Sequence, residues 1–186
     1  MAAGGPAWAG FHSTASFVPP GAFSLGFEPE LVLTQPASMG FNLKYTHGIS
    51  DITNLGLIIG SGGGDRGFRL GGQGIFDFFP DTESQPGLGM AVQGTYIRGV
   101  NSGRFETFFQ PYFHKSFHGK GGTEYDPFVA VPFGFGLGGD GDYSGMASLV
   151  LGSAIRLSDT VKATVELGVA INRTQSYFST GVVYSR

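Results

Sequence analysis

An all-β, antiparallel, up-and-down fold is what this sequence predicts, and three observations predict it. Apolar and non-apolar residues alternate along most of the chain, and period two is the signature of strands. The alternating runs are separated at short intervals by turn chemistry rich in Gly, Pro, Asn, Asp and Ser. Composition points the same way: 33 glycines and 14% aromatics, 18 of them Phe, but only 13% charged residues, where soluble domains carry roughly 25% charged.

About ten strands of roughly 9–13 residues can be read in order, the length a tilted membrane-spanning strand needs. In residues 22–34, Phe23, Leu25, Phe27, Pro29, Leu31 and Leu33 share one face, and Ser24, Gly26, Glu28 and Glu30 the other, before "TQPAS". In 38–48, Met39, Phe41, Leu43 and Tyr45 oppose Gly40, Asn42, Lys44 and Thr46, before "ISD". Residues 53–61 run to "SGGGDRG". In 67–79, Phe68, Phe76 and Phe78 oppose Arg69, Ile75 and Asp77, before "PDTESQPG". Residues 87–98 set Tyr96 against Ile97 and end at "VNSG". In 103–117, Phe105, Phe109, Phe113 and Phe117 oppose Glu106, Phe108 and His114, before "HGKGG". Residues 125–137 carry Phe133 and Phe135 and end at "GGDGD". Residues 144–157 place Val150 and Arg156 on one face and end at "LSD". In 160–172, Val161, Ala163, Val165, Leu167, Val169 and Ile171 oppose Lys162, Thr164, Glu166, Gly168, Ala170 and Asn172, before "NRTQ". The last strand, 175–185, carries Phe178 and Tyr184 opposite Val183. One domain accounts for all of this: residues 1–21 form an N-terminal arm or plug, and 22–186 the barrel.

Alternation alone does not say which face meets water. A soluble barrel hides its apolar face; a membrane barrel shows it. The non-apolar face here is built from Gly, Ala, Ser and Thr with few lysines, unlike a water-facing surface. The apolar face is long and aromatic, with rings toward strand ends, as at membrane interfaces. Ten strands also put both termini, "ISD" and "LSD" on one side, the even-numbered pattern of bacterial outer-membrane barrels. The expected lipid-facing residues include Phe41, Leu43, Val165, Leu167 and Val169. No run of about 18 apolar residues offers a transmembrane helix, and the start, "MAAGGPAWAGFHSTASFVPPG", does not read as an intact signal peptide.

Two phrases carry a family resemblance. "YTHGISDITNLGLIIG" resembles the strand–turn–strand phrase of Gram-negative outer-membrane β-barrel proteins: Tyr, two residues, Gly, an aliphatic, Ser or Thr, Asp, then a Leu-Gly strand. "SYFSTGVVYSR" resembles the last-strand signal read by the barrel-assembly machinery; Ser179, Gly181 and Tyr184 fit it, and Arg186 departs from its aromatic terminal position. The resemblance implies an integral outer-membrane location, outer-membrane lipid as solvent, and the barrel-assembly machinery as a partner during biogenesis. Ser50–Asp51 and the matching Ser158–Asp159 of "RLSDTVKATVELGVAI" are expected to close hairpins at the rim that carries the termini, the periplasmic one.

With the apolar face outward, the inward ionisable set is Glu28, Glu30, Lys44, Arg69, Asp77, Glu106, His114, Arg156, Lys162 and Glu166. Five carboxylates against four fixed cations and one His imply an internal ion-pair network, because isolated buried charges are costly and paired ones persist. Arg69 and Arg156 are the expected hubs, since a guanidinium can bridge two carboxylates. A wide porin-like aqueous pore needs around sixteen strands, so the interior is expected to be closed or very narrow. Ile58, Ile75, Ile97, Phe108, Val150 and Val183 also face inward, as packing or as a pocket for a lipid tail or small hydrophobic ligand.

The remaining motifs are weak. "YFHKSFHG" puts His114 and Ser116 about 7 Å apart along a strand, too far for direct proton transfer. "GSGGGDRG" lacks the Gly-Lys-Ser/Thr ending and the following helix of a phosphate loop. "DGDYSG" has too few ligands for calcium. There are no cysteines, and His12, His47, His114 and His118 give no metal-ligand set. A net charge of −3 without a basic run argues against nucleic acid. The sequence therefore leads to a non-enzymatic small barrel without cofactor, structural or lipid-interacting (lipid-binding). Two alternatives stay open: a narrow channel or carrier for small or hydrophobic molecules, and a membrane-embedded lipid-modifying enzyme using His114.

Overall fold

A computed structural model of the chain describes residues 17–34, 37–63, 66–82, 84–99, 103–119, 123–138 and 143–186. They form β1 (Phe23–Val32), β2 (Ser38–Ser50), β3 (Thr53–Gly62), β4 (Phe68–Phe79), β5 (Gly87–Arg98), β6 (Gly103–His114), β7 (Phe117–His118), β8 (Glu124–Ala130), β9 (Phe133–Gly138), β10 (Tyr143–Arg156), β11 (Val161–Asn172) and β12 (Tyr177–Ser185). Each main strand pairs antiparallel with its sequence neighbours, and β12 returns to pair with β1. Among the described residues, the ten main strand positions therefore close into a barrel.

The seventh position departs from the single strand expected over 125–137. It is split into β8 and β9 at Val131–Pro132. Pro132 has no N–H to give to β10, so the ladder lapses there. The register does not: Tyr112 pairs with Ala130 and Phe109 with Phe133, so the two halves stay in line. Val131 N–H still reaches Pro111 C=O (3.1 Å), and Ser148 N–H reaches Pro132 C=O (3.0 Å). The preceding strand is shorter than the expected 103–117; β6 stops at His114, and β7 folds back onto β8.

The alternation has the sign expected of a membrane barrel. Outside, Leu25, Phe27, Phe41, Leu43, Leu57, Leu70, Phe113 and Val182 are exposed. Rings on neighbouring strands meet there: Phe27 and Phe41 with centroids 6.0 Å apart, Phe109 and Phe133 likewise at 6.0 Å, and Phe117 and Tyr125 at 5.3 Å. Inside, Glu28, Glu30, Asn42, Lys44, Arg69, Gln73, Glu106, Gln110 and Glu166 are buried. Burying ions while exposing leucine and phenylalanine is the reverse of a water-soluble core.

The two matching turns lie on the rim shared with the termini. Ser50 Oγ accepts from Ile52 N–H, and Ser158 Oγ accepts from Thr160 N–H, each at 3.4 Å. Both are serine side chains closing a local turn two residues on. Asp51 is exposed, whereas Asp159 accepts from Arg156 Nη2 at 2.9 Å.

Candidate functional site

The buried interior side chains form two regions of different chemistry. The first is a charge lattice fed largely from the rim opposite the termini. Arg69, one residue into β4, sends its guanidinium across β3 toward β1. Glycine makes the crossing feasible: a Cβ at Gly60 would lie 2.8 Å from Arg69 Nε and 2.9 Å from Phe41 O, and one at Gly40 3.2 Å from Arg69 Nη2. Arg69 Nη2 donates to Phe41 C=O (3.1 Å), and Nη1 lies 3.6 Å from Glu30 Oε2. Arg66, in the β3–β4 connection, turns inward and pairs with the other Glu30 oxygen. Lys44 pairs with Glu28 at 2.7 Å, and Arg104 with Glu106 at 2.6 Å. Tyr177 O–H donates to Glu166. Three of these four carboxylates, Glu28, Glu30 and Glu106, thus pair with the four cations Lys44, Arg66, Arg69 and Arg104, while Glu166 accepts from Tyr177. In a low-dielectric interior only such pairing makes ionised groups tolerable.

Gly60→Val should therefore strain both the Phe41 backbone and the Arg69 crossing. We expect about 1–3 kcal/mol of destabilisation, read as a lowered urea midpoint in micelles. Gly145→Val is the control, because nothing lies within 4 Å of a Cβ there.

The second region is apolar: Ile75, Ala91, Phe108, Tyr112, Phe128, Ala130, Met146, Val150 and Tyr177 form one buried cluster. Of the apolar inward positions expected from sequence, Ile58, Ile97 and Val183 are likewise buried.

Seven of the ionisable positions assigned inward by sequence are buried: Glu28, Glu30, Lys44, Arg69, Asp77, Glu106 and Glu166. His114 is partly covered and lies 3.8 Å from Asp77. Lys162 sits at the terminal rim, 3.3 Å from Asp126. Arg156 is a correction. It is the last residue of β10 and its side chain is 41% exposed; it bridges Glu124 (2.8 Å) and Asp159 (2.9 Å) at the rim rather than serving as an internal hub. The second buried arginine beside Glu30 is Arg66 instead. Of the outer set, Phe41, Leu43, Leu167 and Val169 are exposed, and Val165 is half-buried on the same face. Arg66, Arg104 and Asp126 went unread in the sequence. Alternation was a usable signal for Arg104, two residues before Glu106, and for Asp126, two before Phe128; nothing marked Arg66. Residues 1–16 of the expected N-terminal arm lie outside the described residues.

His114 and Ser116 are not brought into a nucleophile–base pair. Ser116 belongs to a rim cluster, where its backbone N–H donates to Asp81 Oδ2 (2.6 Å) and Lys115 Nζ donates to Asp81 Oδ1 (2.8 Å). Partial burial pushes the Asp81 carboxyl up, but the bonds from Lys115 and Ser116 outweigh it and hold it below its ordinary range. A carboxylate with a lowered folded-state pKa stabilises the fold above its unfolded value. That contribution disappears as pH falls through the folded value. Asp81→Asn should remove this part of the acid sensitivity, seen by comparing urea midpoints at about pH 7 and about pH 3. Among the described residues, no three His, Asp or Glu side chains gather to hold a metal ion.

No protein-family model matches the chain, and no curated protein matches it. Solved structures are similar to it. The β domain of the Bordetella autotransporter BrkA aligns with 90% of this chain and 100% of its own, at 13% identity and a TM-score of 0.52. A de novo designed transmembrane β-barrel aligns with 90% of this chain and 97% of its own, at 13% identity and a TM-score of 0.43. The N-terminal β-barrel domain of Pseudomonas aeruginosa OprF aligns with 90% and 98%, at 10% identity and a TM-score of 0.34. The closed ring, the inverted alternation and the likeness to the Bordetella domain agree, and the chain has the fold of an antiparallel transmembrane β-barrel.

Proposed function

We propose that this chain is a small, closed barrel of the bacterial outer membrane, structural or lipid-interacting, delivered there by the barrel-assembly machinery and carrying out no chemistry of its own. The observation that supports this is an interior of paired charges beside a buried apolar cluster. A charge lattice of four carboxylates and four cations occupies one region, and an apolar cluster the other. A conducting pore needs a continuous hydrated path, and ions locked in mutual pairs beside packed rings do not supply one. Single-channel recording in a planar bilayer tests the reading. The expected trace is a flat baseline; steady openings of defined size would overturn it. The chain's functional surface is then its exterior, where Leu, Phe and Val side chains meet lipid.

A second reading, a carrier for a hydrophobic molecule, has the apolar cluster in its favour. It requires a lipid-like molecule held inside the barrel after purification, detectable by mass spectrometry of the denatured protein. The porin-like reading has no comparable support from the interior.

A further inference from the structure

The first described residues do not stay outside the barrel. Phe17 packs against the interior apolar cluster, and Val18 is 2% exposed. Asn54, buried on β3, holds Val18 by its backbone. In the amide orientation that satisfies both ends, its Oδ1 accepts from Val18 N–H (2.8 Å) and its Nδ2 donates to Val18 C=O (3.0 Å). A neighbouring strand would make the same reciprocal pair; here one side chain makes it.

The adjoining wall is cut to admit a main chain. A Cβ at Gly48 would lie 2.6 Å from Val18 O and closer still to Pro19 O, so only glycine leaves room for this segment. Pro19 C=O accepts from Ala22 N–H (3.0 Å), Gly21 N–H donates to Gly48 C=O (2.9 Å), and Gly48 N–H donates to Ala22 C=O (3.0 Å). Gly21, at φ 79°, turns the chain from the mouth onto β1. Pro20 and Gly21 are the central residues of the turn closed by that Ala22–Pro19 bond, and the fixed φ of Pro20 lowers the entropy lost on ordering it.

These are the parts of a peptide-recognition site: an aromatic recess, a bidentate reader of one residue's backbone, and a floor without side chain. We propose that the terminal mouth of the barrel is a recognition site for an extended aromatic–valine–proline segment, occupied in the same chain by Phe17–Pro20 as an exchangeable stopper. Occupancy of this mouth is separate from whether the barrel conducts. The segment governs access from one rim to the apolar cluster.

The chain has no cysteine, so Ala91→Cys, in the buried cluster, gives a single reporter in the full-length protein. Its reaction with a membrane-impermeant maleimide is expected to be slow. Adding Phe17→Ser and Val18→Asp should speed it at least roughly tenfold, because the lost contacts shift the local opening equilibrium. A free peptide of residues 17–22, FVPPGA, should then restore protection, and a scrambled peptide should not. Asn54→Leu in the otherwise native chain should also speed labelling, and it should abolish protection by the peptide. Both strap changes lie outside the strands, and unboiled gel migration reports that the barrel is folded. Unchanged labelling in the strap variant, equal protection by the scrambled peptide, or failure of FVPPGA to protect would each overturn the proposal.

Discussion

Glu30→Ala is expected to destabilise the folded barrel by about 3–5 kcal/mol, read as a fall in the urea midpoint by circular dichroism in micelles. The size follows from what the carboxylate holds. Arg66 and Arg69 approach its two oxygens from different elements, and both guanidiniums are buried. Losing the carboxylate leaves two cations close together in a low-dielectric space. Neither can reach bulk water without rearranging its strand or connection. Glu30→Gln keeps the shape and one acceptor, so it should fall between wild type and alanine. The contrast with a paired removal gives the prediction its specificity. In Glu28→Leu with Lys44→Met, both members of the 2.7 Å pair leave together. A buried pair replaced by apolar groups of similar volume is often neutral or better, whereas Lys44→Met alone strands Glu28. If single and double replacements cost the same, the lattice is hydrated and its pairs are not what makes its charges tolerable.

The expected gain from that lattice is closure as much as stability. Opening a conducting path through it means separating ions whose partners sit on different strands: β1 with β2, β1 with β4, and β1 with the β3–β4 connection. The same contacts therefore tie the wall together across its interior. Glu30→Ala is accordingly the variant in which the proposed closure is expected to fail first, read as openings in a planar bilayer.

Face was legible in the sequence because a strand offers a side chain only two choices, and a one-residue slip would turn every Phe and Glu the wrong way. That is why Glu28, Glu30, Lys44, Arg69 and Glu106 could be sorted inward without any knowledge of their neighbours. Depth was not legible. Arg156 has inward parity, but as the last residue of β10 it lies where the rim meets water, and it pairs there with Glu124 and Asp159. Partners were not legible either. Arg66 stands outside the alternating segments, and its pairing with Glu30 depends on how the β3–β4 connection turns inward. The break at Pro132 was visible as a proline, but whether a proline ends a strand or only interrupts its ladder is decided by the flanking register. The strap at Phe17–Pro20 has no period at all. Its place is set by an Asn and a Gly on β3 and β2 that read, in sequence, as ordinary strand residues.

Leu43→Arg separates the membrane reading from every soluble alternative. Leu43 lies midway along β2 and is 49% exposed on the outer face, between the inward-facing Asn42 and Lys44. On a water-soluble barrel, arginine at so exposed a site would cost next to nothing, and it would improve solubility. On a barrel spanning a bilayer, a cation at the midplane of the lipid-facing surface costs about 2–4 kcal/mol. The penalty should appear as a lowered urea midpoint in phospholipid vesicles and as a smaller folded fraction on unboiled gels. Depth supplies the internal control. Met39→Arg, on the same face of the same strand but near the opposite rim, should cost about 0–1 kcal/mol. A protein fold that merely disliked arginine on β2 would not grade the two sites in this way. Only a solvent that changes from headgroup to hydrocarbon between residues 39 and 43 would make the same substitution mild at one and severe at the other.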